Sequence, residues 1–350
     1  MNLLVFGANS QLGRELIRLL TDAQIEFSAL DTDQVDVLSP KDVVKAVSRI
    51  NPTQLINVST YSNLQKAETD PQAAKRCDLI NTDGVTALAR VCKQLSIPII
   101  HHSSSYVFDG QKKETYDEED EANPVCSYGK SKWYGERTLR EETEKHIILR
   151  TDWLFSAHRN KYFLNLIESC KKNAGKISVV DNRFSPTHAG DAARVILGIV
   201  KQVDCNAEVW GTYHYNAMQP VNQDQFVQHV LEEAARLDNA LDKVLPSLEI
   251  ELLPVERPYI RNSALNASKI MGTFGIKQHS RGAGVTAVLE EIYGVEKELP
   301  EVQGNSVAAV SDNERQASTT TRAKRKKESA KNPRKSKPPA KKAAKQKQSP

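Results

Sequence analysis

The stretch Ser127-Tyr128-Gly129-Lys130-Ser131-Lys132 sets a phenol and an ammonium four residues apart. On a helix such residues project from one face, one turn above each other. A free tyrosine holds its proton to a pKa of about 10, and a nearby cation lowers that value by favouring the phenolate. The spacing predicts Tyr128 as a proton carrier tuned by Lys132. Upstream, the run Ser103-Ser104-Ser105 supplies a hydroxyl, that of Ser104, which could hold a carbonyl oxygen while Tyr128 protonates it and a hydride reaches the carbon. The chemistry expected is carbonyl reduction. A second Tyr-x-x-x-Lys occurs at Tyr293 and Lys297, but no serine-bearing strand precedes it and Gly294 interrupts it. That copy is read as a solvated pair.

These groups need a scaffold that brings them together. Residues 2–6 are an apolar run, followed by Gly7-Ala8-Asn9-Ser10-Gln11-Leu12-Gly13 and a helical pattern through Leu16, Ile17, Leu19 and Leu20. A strand, a glycine loop and a helix present backbone N–H groups and the positive end of the helix dipole to a pyrophosphate. Gly7, Ser10, Gln11, Leu12 and Gly13 are therefore cofactor-binding candidates, Gly7 for the tight turn and Gly13 for close helix packing. Ser10 stands where a middle glycine is usual, and either crowds the cofactor or bonds a phosphate oxygen. Asp31 follows Gly7 by 24 residues at the end of the next strand, the distance at which a carboxylate meets an adenosine ribose. Its charge would repel a 2′-phosphate, which favours NAD over NADP.

Ser39-Pro40 starts a helix that runs to about residue 50. Residues 55–58 form the third strand, and the polar loop after it, Ser59 to Asn63, opens toward a ligand, making Ser59 and Tyr61 further cofactor candidates. A long helix over 71–95 contains Asn81. A fourth strand over 97–102 delivers the serine run, and a fifth over 147–151 follows the Tyr128 helix. Strand and helix alternate for 150 residues, which predicts an α/β fold with a doubly wound parallel sheet, its ligand crevice at the C-terminal ends of the strands.

Composition divides the chain further. Residues 322–350 hold 13 Lys or Arg, one acid and no aromatic or large aliphatic residue. Such a segment cannot bury enough surface to fold. Residues 1–321 carry 35 basic and 43 acidic residues, a net of −8 against +12 in the tail. The layout expected is a dinucleotide-binding Rossmann domain over 1–150 to which later segments return, a smaller, mainly substrate-binding portion over 151–296, and a disordered linker and basic tail over 297–350. The tail is expected either to bind a polyanion such as nucleic acid, by counterion release, or to remain solvated. Five cysteines without a C-x-x-C pair suggest neither disulfides nor zinc, and fit a reducing cytoplasm. His101 and His102, adjacent on a strand, point to opposite faces and cannot serve one site, so no metal is expected. No run approaches the length of a membrane span.

The motifs Gly7 to Gly13, Ser104-Ser105-Tyr106-Val107-Phe108-Asp109-Gly110, Tyr128-Gly129-Lys130-Ser131-Lys132 and Arg150-Thr151-Asp152-Trp153 resemble those of extended short-chain dehydrogenases. More narrowly, with Pro186-Thr187, Gly211-Thr212-Tyr213-His214 and Arg257-Pro258, residues 1–294 resemble the dTDP-4-dehydrorhamnose reductase family. The tail has no counterpart there. The resemblance implies reduction of a 4-keto-6-deoxy sugar nucleotide by NADPH or NADH, in dTDP-L-rhamnose biosynthesis. It implies that Ser104 polarises the C4 carbonyl, Tyr128 donates the proton, and Lys132 binds ribose and tunes Tyr128. It also implies substrate contacts from Ser105 and from Trp153, which would stack on the nucleotide sugar or else fill the core. Arg257 and Arg261 would hold a diphosphate or else form surface ion pairs. Ser10, Ser105 and Gln65 depart from the family's usual glycine, aspartate and aspartate. Those departures leave a second reading open, a binding protein resembling the regulatory subunit of methionine adenosyltransferase. A homodimer is compatible with both.

Overall fold

β1 (Asn2–Phe6) is buried on both faces: Leu3 and Val5 enter one apolar layer, Leu4 and Phe6 the other. A near-continuous apolar run is what a strand covered on both sides requires. The computed structural model describes residues 1–294 apart from 32, 159 and 160. The expected linker and tail, and Lys297, lie outside the described residues.

From β1 the chain passes through α1 (Gln11–Asp22), β2 (Glu26–Leu30), α2 (Pro40–Ile50) and β3 (Gln54–Asn57). Ser39 caps α2 by accepting the Asp42 N–H, with Pro40 in the first turn, as its sequence predicts. Next come α3 (Leu64–Thr69), α4 (Pro71–Asp78), a π-helical turn (Leu79–Asp83), α5 (Gly84–Leu95) and β4 (Ile99–Ser104). The uniform helix expected over 71–95 is thus interrupted by a wider turn at Asn81. Then follow α6 (Ser127–Glu142) and β5 (His146–Thr151).

The second half contributes β6 (Leu154–Phe155), α7 (Tyr162–Lys172), β7 (Lys176–Val180), β8 (Arg183–Phe184), β9 (Thr187–His188), α8 (Ala189–Asp204) and β10 (Gly211–Tyr215). It continues with β11 (Val221–Asn222), α9 (Gln223–Ala235), α10 (Asn239–Asp242), β12 (Glu249–Leu253), α11 (Ser268–Phe274) and α12 (Arg281–Tyr293).

The main sheet has the order β10-β5-β4-β3-β1-β2, with every neighbouring pair parallel. α1, α8 and α11 cover one face and α2, α5 and α6 the other, so the sheet is doubly wound as expected. β10 and α8 return to it from the second half. A separate core gathers Phe163, Leu166, Phe226, Val230 and Val285 from α7, α9 and α12. The strand order reverses between β1 and β3, whose following helices lie on opposite faces, and the C-terminal ends of these strands are where such a sheet places its ligand crevice. No helix among the described residues is long and apolar enough to cross a membrane, and all five cysteines are free.

Candidate active site

The crevice begins where the β1 and β3 loops touch. Gly7 turns at φ +91°, in the left-handed region, and a Cβ there would lie 2.4 Å from the Ser59 nitrogen. A Cβ on Gly13 would lie 2.1 Å from the Gly7 carbonyl oxygen, the close packing its sequence position implies. Ser10 takes a role that neither sequence alternative contained. It is the N-cap of α1, its Oγ accepting the Gly13 N–H at 2.9 Å.

The first-turn N–H groups of Gln11 and Leu12 take no partner among the described residues. Asp31 accepts the Asn9 N–H on Oδ2 at 2.8 Å, tying the end of β2 to the glycine loop. Two unsatisfied helix-terminal donors beside a strand-end carboxylate suit a dinucleotide, which offers a pyrophosphate to the first and a ribose hydroxyl to the second. The donor set fits.

On the β3 side, Ser59 donates to Asn57 Oδ1 from both its N–H, at 3.1 Å, and its hydroxyl, at 2.5 Å. Tyr61 is held by its backbone: its N–H donates to Asn81 Oδ1 at 2.9 Å and its carbonyl accepts from Asn81 Nδ2 at 3.0 Å. The same Nδ2 donates to Ser131 Oγ at 3.0 Å. Asn81 thereby joins the β3 loop to α6 from within the π-helical turn, a feature that concentrates at functional sites. Nothing in the sequence distinguishes this asparagine.

Ser104, Tyr128 and Lys132 converge. Ser104 ends β4, and its hydroxyl and that of Thr60 are within hydrogen-bonding reach of the Tyr128 phenol. Tyr128 and Lys132 are 8% and 1% exposed. Lys132 Nζ donates to the His102 carbonyl at 2.6 Å. Their helix is pressed close on both sides. A Cβ at Gly129 would fall 2.1 Å from the Tyr106 carbonyl oxygen, and one at Gly135 would fall 2.1 Å from that of Asn81.

The electrostatics differ from the expectation that Lys132 lowers Tyr128. Burial pushes the phenol up to about 12, the Ser104 hydrogen bond only partly opposing it. Burial also drives the Lys132 ammonium down to about 8, against the pull of Glu136. Desolvation dominates the Tyr128 shift, and the result is a tyrosine that keeps its proton at neutral pH.

The substrate candidates separate. Ser105 is fully buried and donates its hydroxyl to Asp152 Oδ1 at 2.7 Å, so it does not present that hydroxyl to a substrate. Asp152 Oδ2 also accepts the Ser185 N–H at 2.6 Å and the Ser263 hydroxyl at 2.9 Å, linking the ends of β4 and β5 to two segments of the second half. Burial raises its carboxyl to about 6. Trp153 is half-buried among Phe155, Tyr162, Phe184 and Phe226, which corresponds to the core-filling alternative. Arg257 is exposed and stands 4.0 Å from Glu68, while Arg261 is 3.8 Å from Asp181, both in surface-pair geometry.

The two adjacent histidines diverge as expected. His102 Nε2 lies 2.8 Å from Thr151 Oγ1, and His101 Nδ1 lies 3.1 Å from Asn57 Nδ2. Burial holds both neutral, His102 near 3. The decoy Tyr293 donates its hydroxyl to Asp238 at 3.0 Å, far along the chain from any serine-bearing strand. Glu15, His158 and Glu291 approach one another closely enough to share a cation, but Arg18 already pairs with Glu15 at 2.8 Å. Sequence reasoning passed over Glu136, although it lies one helical turn past Lys132 and that spacing was legible, and it gave Asp152 no role beyond its place in the Arg150 to Trp153 motif.

A family model described as RmlD substrate binding domain matches residues 1–293. A dTDP-4-dehydrorhamnose reductase from Aggregatibacter actinomycetemcomitans is 34% identical over 281 residues, covering 79% of this chain and 94% of that protein. Among solved structures, a dTDP-4-dehydrorhamnose reductase from Clostridium acetobutylicum aligns with TM-score 0.72 and 26% identity over 83% of this chain and 99% of its own. One from Bacillus anthracis in complex with NADP aligns with TM-score 0.71 and 23% identity over the same shares, a likeness of fold.

Proposed function

The chain belongs to the RmlD substrate binding domain family, and from that membership we propose that it is an NAD(P)H-dependent reductase of a 4-keto-6-deoxy sugar nucleotide, dTDP-4-dehydrorhamnose. The observation that carries the reading is the convergence of Ser104, Tyr128 and Lys132 beside a crevice whose α1 donors are unpartnered.

A reduced nicotinamide, when bound, supplies the hydride. Gln11 and Leu12 would hold its pyrophosphate and Asp31 a ribose hydroxyl. The Ser104 hydroxyl donates to the substrate carbonyl oxygen and orients it. Tyr128 holds the proton that this oxygen takes up. A phenol raised to about 12 still gives its proton readily to an alkoxide, which is roughly as basic as hydroxide, whose conjugate acid has a pKa of about 15.7. Lys132, an ammonium below about 8, offers charge to Tyr128 and to a ribose hydroxyl. The walls around Tyr128, built from Cys77, Cys126, Ala67 and Tyr106, keep water from the transfer.

The intact trio, together with relatives named as reductases, favours catalysis over the regulatory-subunit reading. The basic tail is an appendage to this function with an outside polyanion as its partner, and the catalytic unit would work in the cytoplasm. The deciding assay incubates the full chain with dTDP-4-keto-6-deoxy-L-mannose and NADPH or NADH and follows nicotinamide absorbance. Turnover supports the reductase. Tight cofactor binding with no oxidation under either cofactor would replace it by a binding protein.

A further inference from the structure

The face of α6 that carries Tyr128 and Lys132 continues through Glu136 and Arg140, each four residues on. Its first three members meet three consecutive residues of β4. Tyr128 reaches the Ser104 hydroxyl, Glu136 accepts from Ser103, and Lys132 donates to the His102 carbonyl. One helix stripe is thus laced to one strand, rung by rung.

Glu136 is fully buried, and its carboxylate takes four donors. Ser103 Oγ at 2.5 Å and Arg150 Nε at 2.8 Å bond Oε1, while Arg150 Nη2 at 2.6 Å and Arg140 Nη2 at 2.8 Å bond Oε2. The titratable and charged groups packed around this string can be counted element by element. From β4 come His101 and His102, both neutral, and from β5 comes Arg150. From β10 comes His214, held neutral near 3 with its Nε2 3.3 Å from Arg150. From α4 comes Cys77, whose thiol burial keeps protonated. α6 itself adds Lys132 and Arg140. Further out, Glu118 accepts the His214 N–H at 2.8 Å, Asp78 follows Cys77, and Glu68 accepts the Ser127 N–H at 2.9 Å.

An ammonium as buried as that of Lys132 sheds its proton unless an anion stands near. Of these carboxylates Glu136 is the fully buried one, one helical turn from Lys132 on the same stripe, and it is held rigidly. We propose that Glu136 is a positioning residue of the active site: its clamped carboxylate is the counter-charge that keeps Lys132 an ammonium beside Tyr128. The inference rests on the reading of Lys132 as the partner of Tyr128, yet its physical content is testable without substrate. A purely structural ion pair with Arg150 would leave the titration of Lys132 where it is.

The test uses the full chain with 13C-labelled lysine, the Lys132 side-chain signal being assigned by its loss in Lys132→Met. In the native protein this signal should titrate near pH 8. In Glu136→Gln it should titrate lower by about one unit or more, and in Glu136→Asp, which keeps a carboxylate one methylene further away, by a smaller amount. The alkaline limb of kcat/KM should move in the same order. An unchanged Lys132 titration in folded Glu136→Gln overturns the inference. Should that variant not fold, Glu136→Asp decides, and an unmoved signal there overturns it equally. If no reductase activity is found while the signal still follows Glu136, the charge coupling stands and only the catalytic reading falls.

Discussion

Lys132 Nζ donates to the carbonyl oxygen of His102 at 2.6 Å, two residues before the Ser104 hydroxyl that reaches Tyr128. The helix bearing the proton donor is therefore fastened to the backbone of the strand bearing the carbonyl-holding serine. Their separation is set by backbone geometry as much as by side-chain rotamers.

Tyr128→Phe should lower kcat by about 10²–10⁴-fold, the usual range for general acid catalysis, with cofactor still bound. Tyr293→Phe, at the decoy motif, should leave kcat unchanged. Steady-state kinetics and a nicotinamide fluorescence titration read both. Equal losses in the two variants, or none in either, would refute Tyr128 as proton donor.

Ser10→Ala should destabilise the protein by about 1 kcal/mol and Ser10→Gly by a few tenths, because the hydroxyl caps α1 through Gly13. Cofactor affinity should change by about tenfold or less, roughly 1.4 kcal/mol at most. Denaturant melts together with binding titrations give both numbers. A larger loss of affinity in the glycine variant would mean that the Ser10 oxygen bonds phosphate as well.

Burial raises the Asp152 carboxyl from an ordinary value near 3.8 to about 6. A raised acid binds more protons folded than unfolded across that window, so its contribution is complete below about 3.8 and is lost as pH rises through 6. The stability difference between the native protein and Asp152→Asn should narrow from pH 4 to pH 7, by about 1.4 kcal/mol for each unit the carboxyl stays raised. Melting at several pH values reads this. A difference that widened would mean that the bonds from Ser105, Ser185 and Ser263 outweigh desolvation.

A chain ending at Thr321 should keep full reductase activity, since every proposed site residue precedes it, and should lose retention on DNA-cellulose. Retention of the full chain should fall steeply with salt, with a log–log slope of about −0.9 for each phosphate neutralised. Retention that survived truncation would place the basic surface on the folded body.

Five of the sheet's six strands were legible as short runs with punctuated helices between them, as at Ser39-Pro40 and Gly7, whereas β10, Gly-Thr-Tyr-His-Tyr, carries no apolar run and was not read as a strand. The stripe from Tyr128 to Lys132 was legible from period alone. Contacts between distant residues were not. The Ser105 hydroxyl is spent on Asp152, 47 positions away, and no local pattern announces that. The π-helical turn at Asn81 is invisible for the same reason: it depends on what Asn81 bonds across the crevice, Tyr61 and Ser131, rather than on the residues beside it. The sign of the Tyr128 shift was misread because spacing reveals a neighbouring charge but not the depth of burial, and here burial is the larger effect.

The missing Cβ atoms at Gly129 and Gly135 have a bearing on how this scaffold could be redesigned. With carbonyl oxygens 2.1 Å from where those carbons would sit, α6 has no clearance to slide or tilt. A mutant library aimed at new sugars would waste its diversity on that helix. The latitude lies at exposed positions of the second half such as Arg257, whose side chain stands in surface-pair geometry with Glu68, rather than at Trp153, which its aromatic neighbours hold in place.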